Sequence, residues 1–185
     1  DLPLVGFHVD HQLRGADGHL DARAVADLAA ELGIPFVFRS FPVRDLRNPG
    51  ESLESAARRL RYASLVALGR DLGPRTVLAT GHTLDDQAET VLLHLERKLG
   101  RARGGIRPRR PDGVARPIRP FRREELRSFL LAEGVPWRED ASNAEERFAR
   151  NRIRHRVLPR LEERWPGATL RLARAGEALT SRLER

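Results

Sequence analysis

The sequence predicts an α/β fold in which a parallel β-sheet carries helices on both faces. Three short apolar runs, at 4–9, 35–38 and 77–79, have the length and composition of buried strands. Each run is followed by a segment whose apolar residues recur every three or four positions, as in a helix that packs against a core. Strands that alternate with helices form βαβ units, and such units pair their strands in parallel.

The same spacing, together with turn residues, predicts the remaining elements. The first helix ends before Gly33, because glycine readily adopts the backbone conformation that closes a helix. Residues 100–113 are rich in Arg, Gly and Pro without periodicity, which indicates a loop. The expected helices are 20–32, 52–72, 85–99, 124–133, 152–164 and 168–183, and an edge strand is expected at 114–118.

These elements predict three successive parts of the chain. Residues 1–120 form an α/β core and residues 121–165 a helical part. Residues 166–185 form a C-terminal helix that either docks on the sheet or links to a further domain. The sequence contains no Met and starts at Asp1, close to the first strand, so we expect the natural N-terminus to be missing.

Composition narrows the classes of function. The net charge is +8, the calculated pI is about 11.3, and Lys98 is the only lysine among 34 basic residues. Arginine pairs with phosphates and stacks on bases, which suits nucleic-acid binding, although a GC-rich genome gives the same bias. The sequence has no cysteine and no apolar stretch of 18 residues, so it offers neither a disulfide framework nor a membrane span. We expect a cytoplasmic location.

Basic residues concentrate in two segments. Residues 97–123 hold eleven Arg or Lys against one acidic residue, and residues 147–164 hold seven Arg against two glutamates. In the second segment Arg147, Arg150 and Arg154 recur at helical spacing. This spacing predicts a basic helix face that follows an RNA backbone, whereas the alternative is a solvated charged surface.

The strongest candidate site is the segment 80–90, Thr-Gly-His-Thr-Leu-Asp-Asp-Gln-Ala-Glu-Thr. It places His82 and the carboxylates of Asp85, Asp86 and Glu89 where a strand leads into a helix. Ligands bind at this end of the strands in open parallel sheets, and such carboxylates can hold Mg²⁺ beside a phosphate. The alternative is helix capping, in which Thr83 or Asp85 is the N-cap and a later acidic residue completes a capping box.

Five motifs, in chain order, resemble those of one enzyme family. They lie at His8–Gly15, Glu51–Tyr62, Thr80–Thr90, Arg116–Pro120 and Glu139–Arg154. Over residues 4–165 the chain is similar to the N-terminal catalytic domain of the tRNA(Ile)-lysidine synthetases, which are N-type ATP pyrophosphatases of the PP-loop family. The resemblance implies a Rossmann-like (adenine nucleotide alpha hydrolase-like) fold with a C-terminal helical extension.

The resemblance also implies a two-step ligase reaction that uses ATP and Mg²⁺. ATP adenylates carbon 2 of the wobble cytidine in an isoleucine tRNA with a CAU anticodon, and the ε-amino group of free lysine then displaces AMP. The resulting lysidine pairs with A instead of G, which changes codon specificity from AUG to AUA. The family's phosphate loop, Ser-Gly-Gly-x-Asp-Ser, is absent from the sequence, so we expect these residues alone to be weakly active or inactive.

The resemblance assigns roles to individual residues. The catalytic residues are Asp86, Glu89, Arg61 and Asp85, and Asp86 and Asp85 are also the implied Mg²⁺ ligands. The implied residues for ATP and phosphate binding are His11, Arg14, Gly81 and His82. The implied tRNA-binding residues are Arg116, Arg119, Arg147, Arg150, Asn151, Arg152 and Arg154. The implied partners are the isoleucine tRNA and free lysine, and a homodimer is compatible with them.

Two other hypotheses stay open at this point. Another tRNA-modifying ATP pyrophosphatase, such as a thiolation enzyme, is disfavoured because the sequence has no cysteine for sulfur transfer or for an iron–sulfur cluster. A non-catalytic RNA-binding module is favoured by the missing phosphate loop, and it is disfavoured by the carboxylates of segment 80–90.

Overall fold

The computed structural model describes residues 3–96, 104–139 and 148–183, and the chain divides into two compact units, 1–78 and 79–185. The first unit contains two strands and two helices, and the second contains the remaining helices. In chain order the elements are β1 (Gly6–Asp10), α1 (Ala16–Glu31), β2 (Phe36–Ser40), α2 (Leu53–Asp71), α3 (Leu84–Glu96), α4 (Arg123–Ala132), α5 (Ala149–Arg152), a π-helical turn (Ile153–Val157), α6 (Leu158–Arg164) and α7 (Ala168–Leu183).

The first unit is built around a βαβ motif, as the sequence predicts. β1 and β2 pair in parallel, with Gly6 opposite Phe36 at one end and Asp10 opposite Ser40 at the other. α1 connects the two strands and packs against both of them. α2 begins after Ser52, whose hydroxyl accepts a hydrogen bond from the Ser55 backbone N–H at 3.2 Å, so this helix starts where its N-cap predicts.

The predicted strands at 77–79 and 114–118 form only single bridges in the described structure. Ala79 pairs in parallel with Ala115, and the Thr80 N–H donates to the Ala115 carbonyl at 3.0 Å. Val77 is 68% exposed, so the apolar run at 77–79 is not the buried strand that its composition predicts. After Ala115 the chain enters a turn, in which the Arg119 N–H donates to the Arg116 carbonyl at 3.2 Å. A β-ladder needs several consecutive backbone pairs, and the turn after Ala115 prevents further pairs with residues 77–79 from forming.

α7 packs against α3 in the second unit, and its bounds agree with the predicted helix 168–183. Gly176 permits the close approach, because a Cβ atom at that position would lie 2.5 Å from Val91 Cγ2. Gln87 on α3 is buried at the same contact. Its amide oxygen accepts the Ile106 N–H, and its amide nitrogen donates to the Ala173 carbonyl at 3.4 Å. In this unit the predicted C-terminal helix therefore docks on α3.

Residues 149–164, named here the arginine helix, run through α5, the π-helical turn and α6. The sequence predicts a plain α-helix over 152–164, and the structure adds the π-helical turn at its centre. Pro159 lies just after this turn and lacks the N–H that an α-helix needs. Widening the preceding turn lets the helix pass the proline ring without breaking. Residues 140–147, which belong to the motif Glu139–Arg154, lie outside the described residues.

No helix in the described ranges is both long enough and apolar enough to cross a membrane.

Candidate functional site at the start of α3

The start of α3 is fixed by a capping box between Thr83 and Asp86. The Thr83 N–H and hydroxyl donate to Asp86 Oδ2 at 2.8 and 2.9 Å, and the Asp86 N–H donates to Thr83 Oγ1 at 3.3 Å. These bonds satisfy backbone donors that the first helical turn leaves unpaired. Helix capping, the alternative interpretation of this segment, is therefore correct for Asp86 Oδ2. The other carboxylate oxygen, Oδ1, takes no part in the cap and faces other groups.

Glu89 is the centre of a buried ionic cluster. Its side chain is 0% exposed, and its two oxygens accept hydrogen bonds from three arginines. Arg154 donates through Nε at 2.7 Å and through Nη2 at 3.1 Å, Arg150 donates through Nε at 2.9 Å, and Arg123 donates through Nη2 at 3.3 Å. Asp86 Oδ1 lies 3.3 Å from Arg123 Nη2 and 3.6 Å from Arg154 Nη2. We call these five residues the Glu89 cluster.

Neighbouring charges shift two pKa values in the Glu89 cluster. Burial raises the pKa of the Asp86 carboxyl, but the hydrogen bonds of Thr83 and the charges of Arg123 and Arg150 lower it more. Burial lowers the pKa of the Arg154 guanidinium, but the hydrogen bonds and charge of Glu89 raise it more. The result is a pKa below the ordinary value for Asp86 and above it for Arg154, so both groups stay charged.

Asp85 joins the same helix start to α4. Its Oδ2 accepts the Arg123 backbone N–H at 2.7 Å, and its Oδ1 lies 3.6 Å from Arg122 Nη2. The first contact satisfies a backbone donor at the start of α4, where the helix dipole favours a negative charge. Asp85 therefore connects two helix N-termini.

These carboxylates do not fit the Mg²⁺ site that the resemblance implies. Arginines bond both oxygens of Glu89, Thr83 bonds Asp86 Oδ2, and a backbone N–H bonds Asp85 Oδ2. Mg²⁺ needs oxygen ligands in a nearly octahedral arrangement. Within the part of the chain that the structure describes, no group of three or more His, Cys, Asp or Glu side chains could hold a metal ion. We therefore assign no step to Mg²⁺.

The other two candidate residues of segment 80–90 lie just before the helix. His82 Nδ1 is 3.0 Å from Thr80 Oγ1, which fixes the ring close to the backbone. Gly81 is exposed, and a Cβ there would lie 3.6 Å from Ile118 Cδ1, so this position allows a close approach from solvent. The sequence places both residues correctly at the entry to α3.

The first unit contains the remaining candidate residues for phosphate chemistry. His11 Nε2 is 3.2 Å from the Ala57 carbonyl on α2, and burial together with the Arg61 charge lowers the pKa of its imidazole. Arg61 is exposed, and its guanidinium carbon lies 5.7 Å from the centre of the Tyr62 ring. The structure thus brings His11 and Arg61 together. Arg14 lies on the same loop and pairs with Asp21 at 2.6 Å.

The predicted basic helix face is directed inward. Arg150 and Arg154 contact Glu89 and keep 30% and 18% of their side-chain surface exposed, and Asn151 is buried. Arg152 differs, because its side chain is 44% exposed and its Nη2 lies 3.6 Å from Glu96 Oε1. In the structure Arg150 and Arg154 both pair with Glu89, and their contact with tRNA stays a prediction. Arg147 lies outside the described residues.

Arg116 and Arg119, the other two tRNA-binding candidates, also make contacts within the protein. Arg116 is buried, and its Nη1 donates to the Arg107 carbonyl. Arg119 Nη2 lies 2.7 Å from Glu177 Oε1 on α7, and its Nη1 donates to the Ile106 carbonyl at 3.3 Å. Both arginines hold the loop before α4 in place.

Sequence reasoning missed Arg123 as a member of the site, and it named Thr83 only as a candidate N-cap. Arg123 appears in the sequence only as one of many basic residues, and 34 positions separate it from Glu89. No local pattern predicts such a contact. Thr83 has a local signal, because the spacing Thr-x-x-Asp before an apolar run is typical of a capping box.

Comparison with known proteins identifies the family of this chain. The PP-loop domain family model matches residues 1–161. A tRNA(Ile)-lysidine synthase of Solibacter usitatus is 43% identical over 96% of this chain and 41% of its own length, and one of Thermus thermophilus is 48% identical over 92% and 33%. The chain thus spans about a third to two fifths of these curated relatives.

A solved structure shows the same fold. The U34-tRNA thiolase NcsA from Methanococcus maripaludis, with its [4Fe-4S] cluster, matches 96% of this chain and 62% of its own with a TM-score of 0.76. The sequence identity is 16%, so this likeness concerns the fold alone. Together with the match over residues 1–161, it confirms the predicted parallel α/β architecture. The chain belongs to the PP-loop domain family.

Proposed function

We propose that this chain is the PP-loop part of an ATP-dependent ligase that forms lysidine in an isoleucine tRNA with a CAU anticodon. ATP adenylates the wobble cytidine, and free lysine displaces AMP to form a carbon–nitrogen bond. The observation that carries the proposal is the Glu89 cluster at the N-terminus of α3, where carboxylates and arginines lie together. The relatives named tRNA(Ile)-lysidine synthase support the substrate.

The chemistry of adenylation explains the arginines. Negative charge grows on the α-phosphate and on the leaving pyrophosphate in the transition state, and fixed guanidinium groups stabilise such charge. Arg150 and Arg154 are held by Glu89, and in the first unit the exposed Arg61 lies near His11. We assign phosphate contacts to Arg150 and Arg154 within the second unit, and separately to Arg61 and His11 within the first.

The chemistry of lysine attack explains the carboxylates. The amino acid carries an ammonium group, which a carboxylate binds by a charge-assisted hydrogen bond. The side chain of Glu89 is 0% exposed, whereas Asp85 and Asp86 are 15% and 17% exposed. We therefore assign lysine binding to Asp85 and Asp86, and we give Glu89 no contact with substrate.

Arg152 is the described candidate that best fits a direct contact with RNA. It is 44% exposed on the arginine helix, and its 3.6 Å ion pair with Glu96 is open to solvent. Exposed ion pairs contribute little stability, so a phosphate can replace Glu96 at small cost. Isoleucine tRNA, free lysine, ATP, a homodimer and a cytoplasmic location all belong to this proposal, and Mg²⁺ enters it without an assigned ligand.

The alternative function is a non-catalytic RNA-binding module with the same fold. It accounts for the basic segments, but it gives no role to Asp85 and Asp86. A thiolation enzyme shares the fold of NcsA, and this chain contributes no cysteine ligand to such chemistry. The ligase accounts for more of the described contacts than either alternative.

The decisive experiment measures incorporation of labelled lysine into isoleucine tRNA with ATP and Mg²⁺. The assay uses the full-length gene product, because the phosphate loop is absent from these 185 residues. We expect ATP-dependent incorporation by that protein and a large loss in its Asp86→Asn variant. The matched control is Asp112→Asn, which removes an exposed carboxylate paired with Arg110 at 2.8 Å in the same unit. Incorporation that is equal in both variants contradicts the assigned role of Asp86, and tRNA binding without incorporation supports the RNA-binding module.

A further inference from the structure

We propose that Glu89 is a positioning residue, which holds the arginine helix so that Arg150 and Arg154 lie beside Asp86, and that it is not a metal ligand. The functional part of this inference rests on the proposed ligase activity. Its structural part stands on the contacts alone.

The burial of Glu89 is the first step of the argument. A carboxylate that is 0% exposed cannot reach a substrate or a solvated cation without a rearrangement of the side chains around it. Burying an unpaired charge is strongly unfavourable, so its partners are required by the fold. Both of its oxygens are satisfied by guanidinium N–H groups at 2.7–3.3 Å.

The direction of the hydrogen bonds is the second step. Arg150 and Arg154 each turn their Nε–H toward Glu89, at 2.9 and 2.7 Å. A guanidinium is planar, so a bond through Nε fixes the orientation of the whole group. Arg150 is oriented further by Thr90, whose hydroxyl accepts from Nη2 at 3.2 Å. One glutamate thus orients two guanidinium planes.

The π-helical turn is the third step. Arg150 precedes this turn and Arg154 lies within it, yet both reach the same carboxylate. A π-helical turn changes the angular spacing of the residues on its two sides, so contacts that span the turn fix how those sides are oriented. Glu89 provides contacts of this kind from α3, 61 and 65 positions away in the sequence.

The first test observes the arginine Nε–H groups by ¹H–¹⁵N NMR, with signals assigned through Arg150→Lys and Arg154→Lys. We expect both Nε–H groups to exchange slowly with solvent in the unmodified protein, and both signals to be lost in Glu89→Gln. Glu96→Gln is the matched control, because Glu96 also lies on α3 and pairs with an arginine of the same helix, at 50% exposure. Fast exchange in the unmodified protein overturns the proposal even if Glu89→Gln does not fold.

The second test compares kcat/KM for lysine incorporation. Replacing a glutamate by glutamine makes the protein more positive, so general electrostatics predicts equal or tighter tRNA binding. Lost positioning predicts instead a fall of roughly tenfold to a hundredfold in kcat/KM for Glu89→Gln. Glu96→Gln removes the same charge without a contact to Arg150 or Arg154, so we expect an equal or higher kcat/KM for it. Equal values for both variants overturn the functional part. If the unmodified full-length gene product incorporates no lysine, the ligase proposal fails, and the NMR result still decides the role of Glu89.

The third test titrates the protein with Mn²⁺ as a spectroscopic probe for Mg²⁺. We expect Glu89→Gln and the unmodified protein to give the same titration. Loss of Mn²⁺ binding in Glu89→Gln, with binding retained in Glu96→Gln, shows that Glu89 is a metal ligand and overturns the proposal.

Discussion

Replacing Gly176 by alanine tests how closely α7 packs on α3. The new Cβ would lie 2.5 Å from Val91 Cγ2, 3.1 Å from Gln87 Nε2 and 3.4 Å from Gly105 Cα. Val91 is buried and β-branched, so it cannot rotate away freely. Overpacking of this kind costs about 1–3 kcal/mol, whereas alanine gains about 1 kcal/mol over glycine in helix propensity. We expect a net loss of roughly 0–2 kcal/mol in the free energy of unfolding.

The assay is urea denaturation followed by far-UV circular dichroism, with the variant measured alone and in a Val91→Ala background. Removing the valine methyl groups removes the closest contact with the new Cβ. In that background we expect Gly176→Ala to stabilise the protein by up to about 1 kcal/mol, so the sign of the effect reverses. Stabilisation of similar size in both backgrounds would refute the described packing of α7.

Two pH-dependent properties follow from the cited pKa shifts. The pKa of Asp86 is lower in the folded state, because Thr83 and Arg123 outweigh burial, so Asp86 contributes stability above its unfolded-state pKa of about 3.9. This contribution is lost as the pH falls through the folded-state pKa, and acid unfolding of Asp86→Asn should show a weaker pH dependence. Burial and the Arg61 charge lower the pKa of His11, so Arg61→Ala should raise that pKa toward its ordinary value in an NMR titration. An unchanged His11 pKa would contradict the closeness of the two residues.

Local sequence patterns predicted most helices because their signals are local. Ser52 marks the start of α2, and the apolar spacing of 168–183 gives α7 its bounds. The runs at 77–79 and 114–118 have strand composition, but a strand also needs a partner over several residues. That requirement is not local, and in the described structure Ala115 forms isolated bridges with Ala79 and with Arg109 instead of a ladder.

The candidate site shows the same limit. The sequence identifies the carboxylates of segment 80–90 as catalytic candidates and the arginines of 147–154 as tRNA-binding candidates, but it does not show that the two sets contact each other. Their pairing joins residues 61 to 65 positions apart, and sequence spacing within a helix does not show which face turns inward. Net charge is also a poor guide to the site. A surplus of arginine suggests a basic protein surface, even where some of the arginines neutralise buried carboxylates.

α3 buries polar side chains in two directions. Gln87 and Glu89 are two positions apart, about 200° around a helix, so they face nearly opposite sides. Gln87 bonds the Ile106 N–H and reaches α7, whereas Glu89 bonds the arginine helix. Detaching either neighbour strips a buried polar group of its partners. In terms of local unfolding, we therefore expect α3, α7 and the arginine helix to form one foldon, whose amides exchange through a shared opening and not by separate fraying.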